Sequence, residues 1–357
     1  MNRNSITPFA VMAVLIAAAA GYTRYQRILE SQTPPPAVQP DELPAEQPAA
    51  PLPVAHETVA FDSDRLNVCS FNIKFVGSYK AKQDEMLADM LSPYDVVVVQ
   101  ELVAPPTAGT YPNGEGYNAD AEAKEFFYAM QAEGFHYVLS EEDTGRQPDI
   151  HKSSTSTEWF VTFFKPAAVA VANDLPGGFL DADRSANPHF DRVPYAFPFR
   201  TSDGKLDFVI VSVHLRADSG PDNRERRRTE LAAIGSWVDA NDAVEGDFII
   251  LGDMNIYSSG ELENAIPDGF ISLNDECEPT NMSTAGPRPY DQVFVRPAFT
   301  SEVDNDFDFQ VVDLLAEMQD RWTLTEPFPN DRYKFEQNFS DHKPVVFQLV
   351  IPGADDD

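Results

Sequence analysis

A series of acids, amides and histidines stands where apolar runs end, and their types suit metal-assisted hydrolysis. Asn72 follows Val68-Cys69-Ser70-Phe71, and Glu101 follows Gln100 and four consecutive valines. His214 closes Val209-Ile210-Val211-Ser212-Val213, and Asp253 and Asn255 come just after Ile249-Ile250-Leu251-Gly252. Asp291 precedes Val293-Phe294-Val295, and Ser340-Asp341-His342 precedes Pro344-Val345-Val346. Charge at the edge of a core is costly unless it is paired or bound to a metal. Taken singly, Glu101 reads equally as a solvated strand end, Asn72 as a turn residue and His214 as an ordinary core histidine. As a series at strand edges they imply one shared cavity. Carboxylates offer the oxygen ligands a hard cation prefers, and imidazoles move protons near neutrality. Asp253 and Asn255, one residue apart, share a face in extended chain, and Gly252 permits close backbone approach. Ser-Asp-His-Lys-Pro-Val is the strongest local signal, because Lys343-Pro344 fixes a sharp corner beside His342.

Those residues need strands to carry them. Arg65 to Ile73 alternates apolar and polar positions, as a half-buried strand does. The unbroken Val96 to Val99 suits a central strand. Further strand patterns run over Trp159 to Phe164, Ala167 to Val171, Phe208 to Val213, Phe248 to Leu251, Gln292 to Val295 and Pro344 to Val350. Helical spacing appears over Lys82 to Leu91, Ala119 to Ala132 and Arg224 to Ala240. Hairpin-like strand pairs with a few helices favour two stacked mixed sheets flanked by helices over a regular βαβ array.

Taken in order, the motifs Cys69-Ser70-Phe71-Asn72-Ile73, Val99-Gln100-Glu101-Leu102, Val213-His214-Leu215, Gly252-Asp253-Met254-Asn255, Tyr290-Asp291-Gln292-Val293 and Ser340-Asp341-His342-Lys343-Pro344 resemble the endonuclease/exonuclease/phosphatase family. The resemblance covers Leu66 to Val350. Glu158-Trp159-Phe160, Phe190-Asp191-Arg192-Val193-Pro194 and Pro279-Thr280-Asn281 are similar to its deoxyribonuclease-I-like branch. The resemblance implies an α/β fold, a four-layer α/β/β/α sandwich of two packed mixed sheets. It implies Mg²⁺ (with Mn²⁺ or Ca²⁺ as alternatives) held by Glu101 with Asn72 and Asp341. His342, oriented by Asp291, would take a proton from water, and His214, paired with Glu158, would serve the leaving oxygen. Asp253 and Asn255 would hold water, metal or phosphate; Arg192 and Thr280 belong to the substrate-binding set. Ser156 departs from the pattern, since that branch carries a tyrosine there.

The expected function is therefore an exported deoxyribonuclease-like hydrolase acting on DNA or another phosphodiester. Alternatives are a phosphatase or a phospholipid or inositol-phosphate phosphodiesterase on the same fold, and a non-catalytic domain tethered to an envelope. The net charge of −32 repels polyanions at long range, so nucleic-acid binding must rest on local chemistry. The densest basic cluster, Arg224 to Arg228, reads as a solvated helix face or a nucleic-acid contact. Phe9 to Gly21 is apolar and alanine-rich behind Arg3, suiting a signal peptide or short anchor within residues 1–30. Residues 31–61 form a Pro/Ala-rich spacer, 62–353 the catalytic domain and 354–357 an acidic tail. This order predicts an extracytoplasmic protein, either released or attached to a membrane through its N-terminus, with no protein partner. Whether Cys69 and Cys277 are bridged stays open at the level of sequence.

Overall fold

In each long strand, consecutive side chains point to opposite faces, so a run of aliphatics must be covered on both sides. The structure, a computed structural model, describes residues 64–146, 148–152, 155–304, 307, 309–319 and 332–352. The apolar segment, the whole of the spacer and the acidic tail lie outside the described residues. From the N-terminal side come β1 (Arg65–Val76), β2 (Val96–Leu102), a small hairpin of β3 (Gly109–Thr110) and β4 (Gly116–Tyr117), then β5 (His136–Leu139) and β6 (Trp159–Phe164). Next follow β7 (Val169–Val171), β8 (Gly178–Phe179), β9 (Tyr195–Thr201), β10 (Asp207–His214), β11 (Phe248–Asp253), β12 (Ile271–Ser272) and β13 (Asp291–Val295). Finally β14 (Gln310–Val311) and β15 (Val345–Val350) return to the first sheet.

The first sheet has the order β14-β15-β1-β2-β6-β5, and the second β12-β13-β11-β10-β9-β7 with β8 beside β9. Both are mixed: β1 runs parallel to β2 and β10 parallel to β11, while the neighbouring pairs are antiparallel. Helices α1 (Asp84–Leu91), α2 (Ala121–Ala132), α3 (Pro221–Asn241), α4 (Ser259–Ala265), α5 (Leu314–Gln319) and α6 (Arg332–Asn338) complete the elements.

The layers follow from the alternation. Val96 and Val98 join Ile210, Ile249 and Leu251 in the core between the sheets. Val97 and Val99 face outward against Leu87 and Met90 of α1 and Phe126 and Met130 of α2. Val209, Val211 and Ile250 face the other way, against Leu231, Ile234 and Val238 of α3. Each such fully buried side chain contributes about 1.5–3 kcal/mol, and together they fix the four-layer α/β/β/α sandwich that the sequence led us to expect.

Local signals set the helix ends. The Asp120 carboxylate accepts the Glu122 and Ala123 N–H groups and starts α2 two residues later than the periodicity suggested. Pro221 begins α3 three residues earlier than expected, since its missing N–H costs nothing at a helix start. The basic cluster at that start is not one solvated face: Arg227 is fully buried against Glu261, whereas Arg228 is exposed. Cys69 is buried and free, and Cys277 is also free. Among the described residues no helix is long and apolar enough to cross a membrane.

Candidate active site

Four strand ends from the two sheets meet at one edge of the sandwich. The parallel pairs β1/β2 and β10/β11 end there together, with Asn72 opposite Gln100 and His214 opposite Asp253. Pairing between β1 and β2 loses register beyond Asn72, and so does pairing between β2 and β6 beyond Val99. In that break Lys74, Phe75 and Glu101 adopt φ of 56°, 57° and 65°, and Asn255 follows at 51°. A left-handed conformation costs a non-glycine residue about 1–2 kcal/mol, and such strain concentrates where side chains must be aimed. Gly252 has φ 136°, and a Cβ there would lie 2.1 Å from the Val213 carbonyl oxygen. Only glycine lets β11 approach β10 closely enough to bring Asp253 beside His214.

Asp253 is the centre of the cluster. Its Oδ2 accepts a hydrogen bond from Asn72 Nδ2 at 3.0 Å, and Asn72 also donates to Glu101 Oε1 at 2.9 Å. The same Oδ2 lies 3.5 Å from His214 Nε2 and 3.6 Å from His342 Nε2. Both imidazoles therefore face one carboxylate oxygen. Each is backed by a further buried acid. His342 Nδ1 donates to Asp291 Oδ2 at 2.8 Å, and His214 Nδ1 lies 2.8 and 3.0 Å from the two oxygens of Glu158. A carboxylate behind Nδ1 holds the proton there and leaves Nε2 to face the cavity.

The remaining expected residues hold the frame. The Thr280 hydroxyl accepts the Asp291 N–H, and the Ser340 hydroxyl donates to the Asn72 carbonyl while accepting the His342 N–H. Asn255 donates its N–H to Asp253 Oδ1 and its amide to the Leu215 carbonyl. Arg192 is buried and pairs with Glu158 through Nε at 2.8 Å, leaving Nη1 buried with no hydrogen-bond partner. Asp341 stands at the rim, a third exposed, paired with Lys74 Nζ at 2.7 Å.

Electrostatics follow from this packing. Burial alone would push His342 down, but the Asp291 and Asp253 carboxylates outweigh it and hold it well above its usual value. Burial raises Asp291 in turn, so the pair binds its proton more tightly than either group would in water. His214 is also raised: burial and Arg192 oppose the charge, and Glu158 and Asp253 prevail. Glu158 is held well below the carboxylate range, because Arg192 and His214 outweigh its burial. Glu101 is raised, chiefly by burial.

The cluster fits a hard cation. Glu101 Oε2 is buried with no hydrogen-bond partner, an expensive state for a carboxylate oxygen. One ligand atom each of Glu101, His214 and Asp253 lies within 4.8 Å of the others, and so do those of Asp253, Asp291 and His342. Asn72 directs its amide N–H groups at the carboxylates, and its Oδ1 accepts the Lys74 N–H at 3.1 Å.

Sequence reasoning missed two lysines. Lys74 joins Asp341 to Glu336 of α6. Lys82 is buried, donates to the carbonyls of Ile73 and Phe339, and is pushed down to about 7 by that burial. It ties the segment after Asn72 to the segment before Ser340. The helical spacing over Lys82 to Leu91 says nothing of this burial, and no pattern in one sequence marks a buried cation.

The profile described as "Endonuclease/Exonuclease/phosphatase family" matches residues 69–342. The fold is similar to that of an endonuclease/exonuclease/phosphatase family protein from Bacteroides thetaiotaomicron, with TM-score 0.52, 17% identity, and coverage of 81% of this chain and 96% of that one. A mannosyl-6-phosphatase from the same organism gives TM-score 0.52 at 17% identity over 80% and 99% of the two chains. A functionally unknown conserved protein from Enterococcus faecalis gives 0.51 at 14% over 80% and 100%. At these identities the likeness is one of fold. A sequence search of curated proteins finds no match.

Proposed function

Because the chain belongs to the endonuclease/exonuclease/phosphatase family, whose members are divalent-metal-dependent phosphoester hydrolases, we propose that it is an exported, deoxyribonuclease-like endonuclease using Mg²⁺. The observation that carries this reading is the pair of imidazoles facing Asp253 Oδ2 from two sheets, each braced by its own carboxylate. A phosphodiester needs a proton removed from the attacking water and one supplied to the departing oxygen, on opposite sides of phosphorus. Two separately braced histidines across one acid suit that division.

His342, held by Asp291, is the base toward water. His214, held by Glu158, which Arg192 braces in turn, serves the leaving oxygen. Glu101 would hold the ion through its unpartnered oxygen, with Asn72 and Asp341 flanking it, and the ion would neutralise charge on the phosphate. Arg192 Nη1 and the Asn255 amide would orient the phosphate oxygens, while Asn72, whose two amide N–H groups go to Glu101 and Asp253, places those acids. Thr280 fixes the Asp291 backbone and through it His342. The apolar Phe9–Gly21 run and the proline-rich spacer support export. DNA is the favoured phosphodiester because Glu158 and Arg192 stand in segments similar to the deoxyribonuclease-like branch.

The test is nicking of plasmid DNA with Mg²⁺, repeated with chelator and with His342→Ala. Both should abolish nicking. Nicking that survives both removes the mechanism, and turnover of a phospholipid or inositol phosphate with DNA left intact replaces the substrate.

A further inference from the structure

Next to the His214 side of the cluster, two arginines converge on one buried acid. Arg146 Nε is 3.0 Å from Asp191 Oδ2, and Arg216 Nη1 is 3.2 Å from Asp191 Oδ1. The Asp191 side chain is fully buried, while the two arginine side chains are 29% and 26% exposed. Two guanidiniums over one carboxylate leave an excess of positive charge facing solvent, in a chain whose net charge is −32. Asp218 lies 3.9 Å from Arg146 with its side chain largely solvated, so it offsets little of that charge.

The pair is tied to the cluster through three short paths. Asp191 directly precedes Arg192, which pairs with Glu158. Arg216 follows Leu215, whose N–H donates to the Asp253 carbonyl and whose own carbonyl accepts from Asn255. Arg146 is two residues beyond Thr144, which exchanges both backbone hydrogen bonds with Glu158. The frame is also prearranged. The fully buried Glu230 of α3 accepts the N–H of Asp191 at 2.5 Å and that of Arg216 at 3.0 Å, and so clamps both backbones. Burial raises Glu230 to about 7. Asn223 accepts from Arg216 Nε at 3.0 Å, and among the described residues each guanidinium keeps N–H groups with no acceptor. Arg192 Nη1 is a further unpartnered donor in the same region.

We propose that Arg146 and Arg216 form a second anion subsite, which takes a neighbouring phosphate of the substrate on the leaving-group side of His214. This rests on the phosphodiesterase reading and sharpens it: the substrate carries more than one phosphate, as an oligonucleotide does. Guanidiniums present planar forks of N–H donors that match phosphate oxygens, and Asp191 keeps them in place before substrate arrives.

The test measures binding of a fluorescein-labelled thymidylate oligomer by anisotropy across a KCl series. Wild type is compared with Arg146→Gln/Arg216→Gln, with the charge-retaining Arg146→Lys/Arg216→Lys, and with Arg224→Gln/Arg228→Gln on α3. The glutamine pair should weaken binding at least tenfold and flatten the log–log salt slope by about 0.7, the contribution of one single-strand phosphate contact. The lysine pair should fall between it and wild type, and the α3 pair should match wild type. Equal affinity and slope in wild type and the glutamine pair, or loss confined to the α3 pair, overturns the subsite. Hydrolysis of bis(4-nitrophenyl) phosphate, which carries one phosphate, is measured beside it. Failure of wild type there overturns the phosphodiesterase reading separately, and loss of that hydrolysis in the glutamine pair equal to its loss of binding assigns the arginines a merely structural role.

Discussion

Asp291 offers the sharpest test of the proposed role of His342 as base. His342 Nδ1 donates to its carboxylate at 2.8 Å, in a site where both side chains are almost wholly buried. A hydrogen bond to a charged partner contributes about 1.5–3 kcal/mol, which corresponds to roughly 10- to 150-fold in rate. Asp291→Ala removes that bond and leaves the ring free to choose its tautomer, so a loss in this range is expected. Asp291→Asn is the more conservative replacement in shape and should be the more damaging in rate. Its amide can present an N–H to Nδ1, which drives the ring proton onto Nε2, where water must be deprotonated. Tautomer inversion of a braced catalytic imidazole costs about 10⁴-fold. The pH profile gives an independent reading. A base acts when neutral, and Asp291 and Asp253 hold His342 well above 6.5, so the acidic limb of the wild-type rate should lie above that value. Removing Asp291 should move the limb to lower pH in the alanine variant. The assay is kcat/KM for a diester over a pH series, with the His342 ring titrated by NMR. Asn and Ala variants of equal activity, or an acidic limb that does not move, would refute the reasoning.

Three further outcomes are expected. Glu101→Gln, which keeps shape but removes charge at the unpartnered oxygen, should raise the divalent ion concentration for half-maximal activity at least tenfold; titration calorimetry with Mg²⁺ reads the same loss directly. Gly252→Ala should fail to fold or melt far below wild type, because its Cβ would overlap the Val213 carbonyl, and a melting temperature within a few degrees of wild type would contradict the close approach of β10 and β11. Lys82→Met tests the buried cation. Its pKa falls from 10.5 to about 7 on folding, so the unfolded chain binds the extra proton between those values and wild-type stability should gain from this group as pH rises from 7 to 10.5. The methionine variant should lose that gain in denaturant melts, while the two carbonyls it leaves unpaired lower its stability at every pH.

The sequence by itself determined the strands, their alternation and the residues at their ends. Val96 to Val99 and Ile249 to Leu251 had to be covered on both faces, and that requirement selects two stacked sheets with helices outside. The ordered motifs from Asn72 to His342 also identified the acids and imidazoles that meet, because such residues are costly at a core edge unless they have partners. Helix ends shifted by a few residues, since capping by Asp120 and the proline start at Pro221 act locally and escape a periodicity of 3.6. Tertiary structure alone decided which partner each group has. That both Nε2 atoms face Asp253 Oδ2, that Arg192 turns to Glu158, that Lys82 is buried, and that Arg146 and Arg216 share Asp191 all depend on contacts between distant segments. Such contacts are set by the register of β1 against β2 and of β10 against β11, and by the angle at which the two sheets stack. Neither leaves a periodic trace in the chain, because a pairwise electrostatic contact depends on distance in space and is indifferent to separation along the backbone.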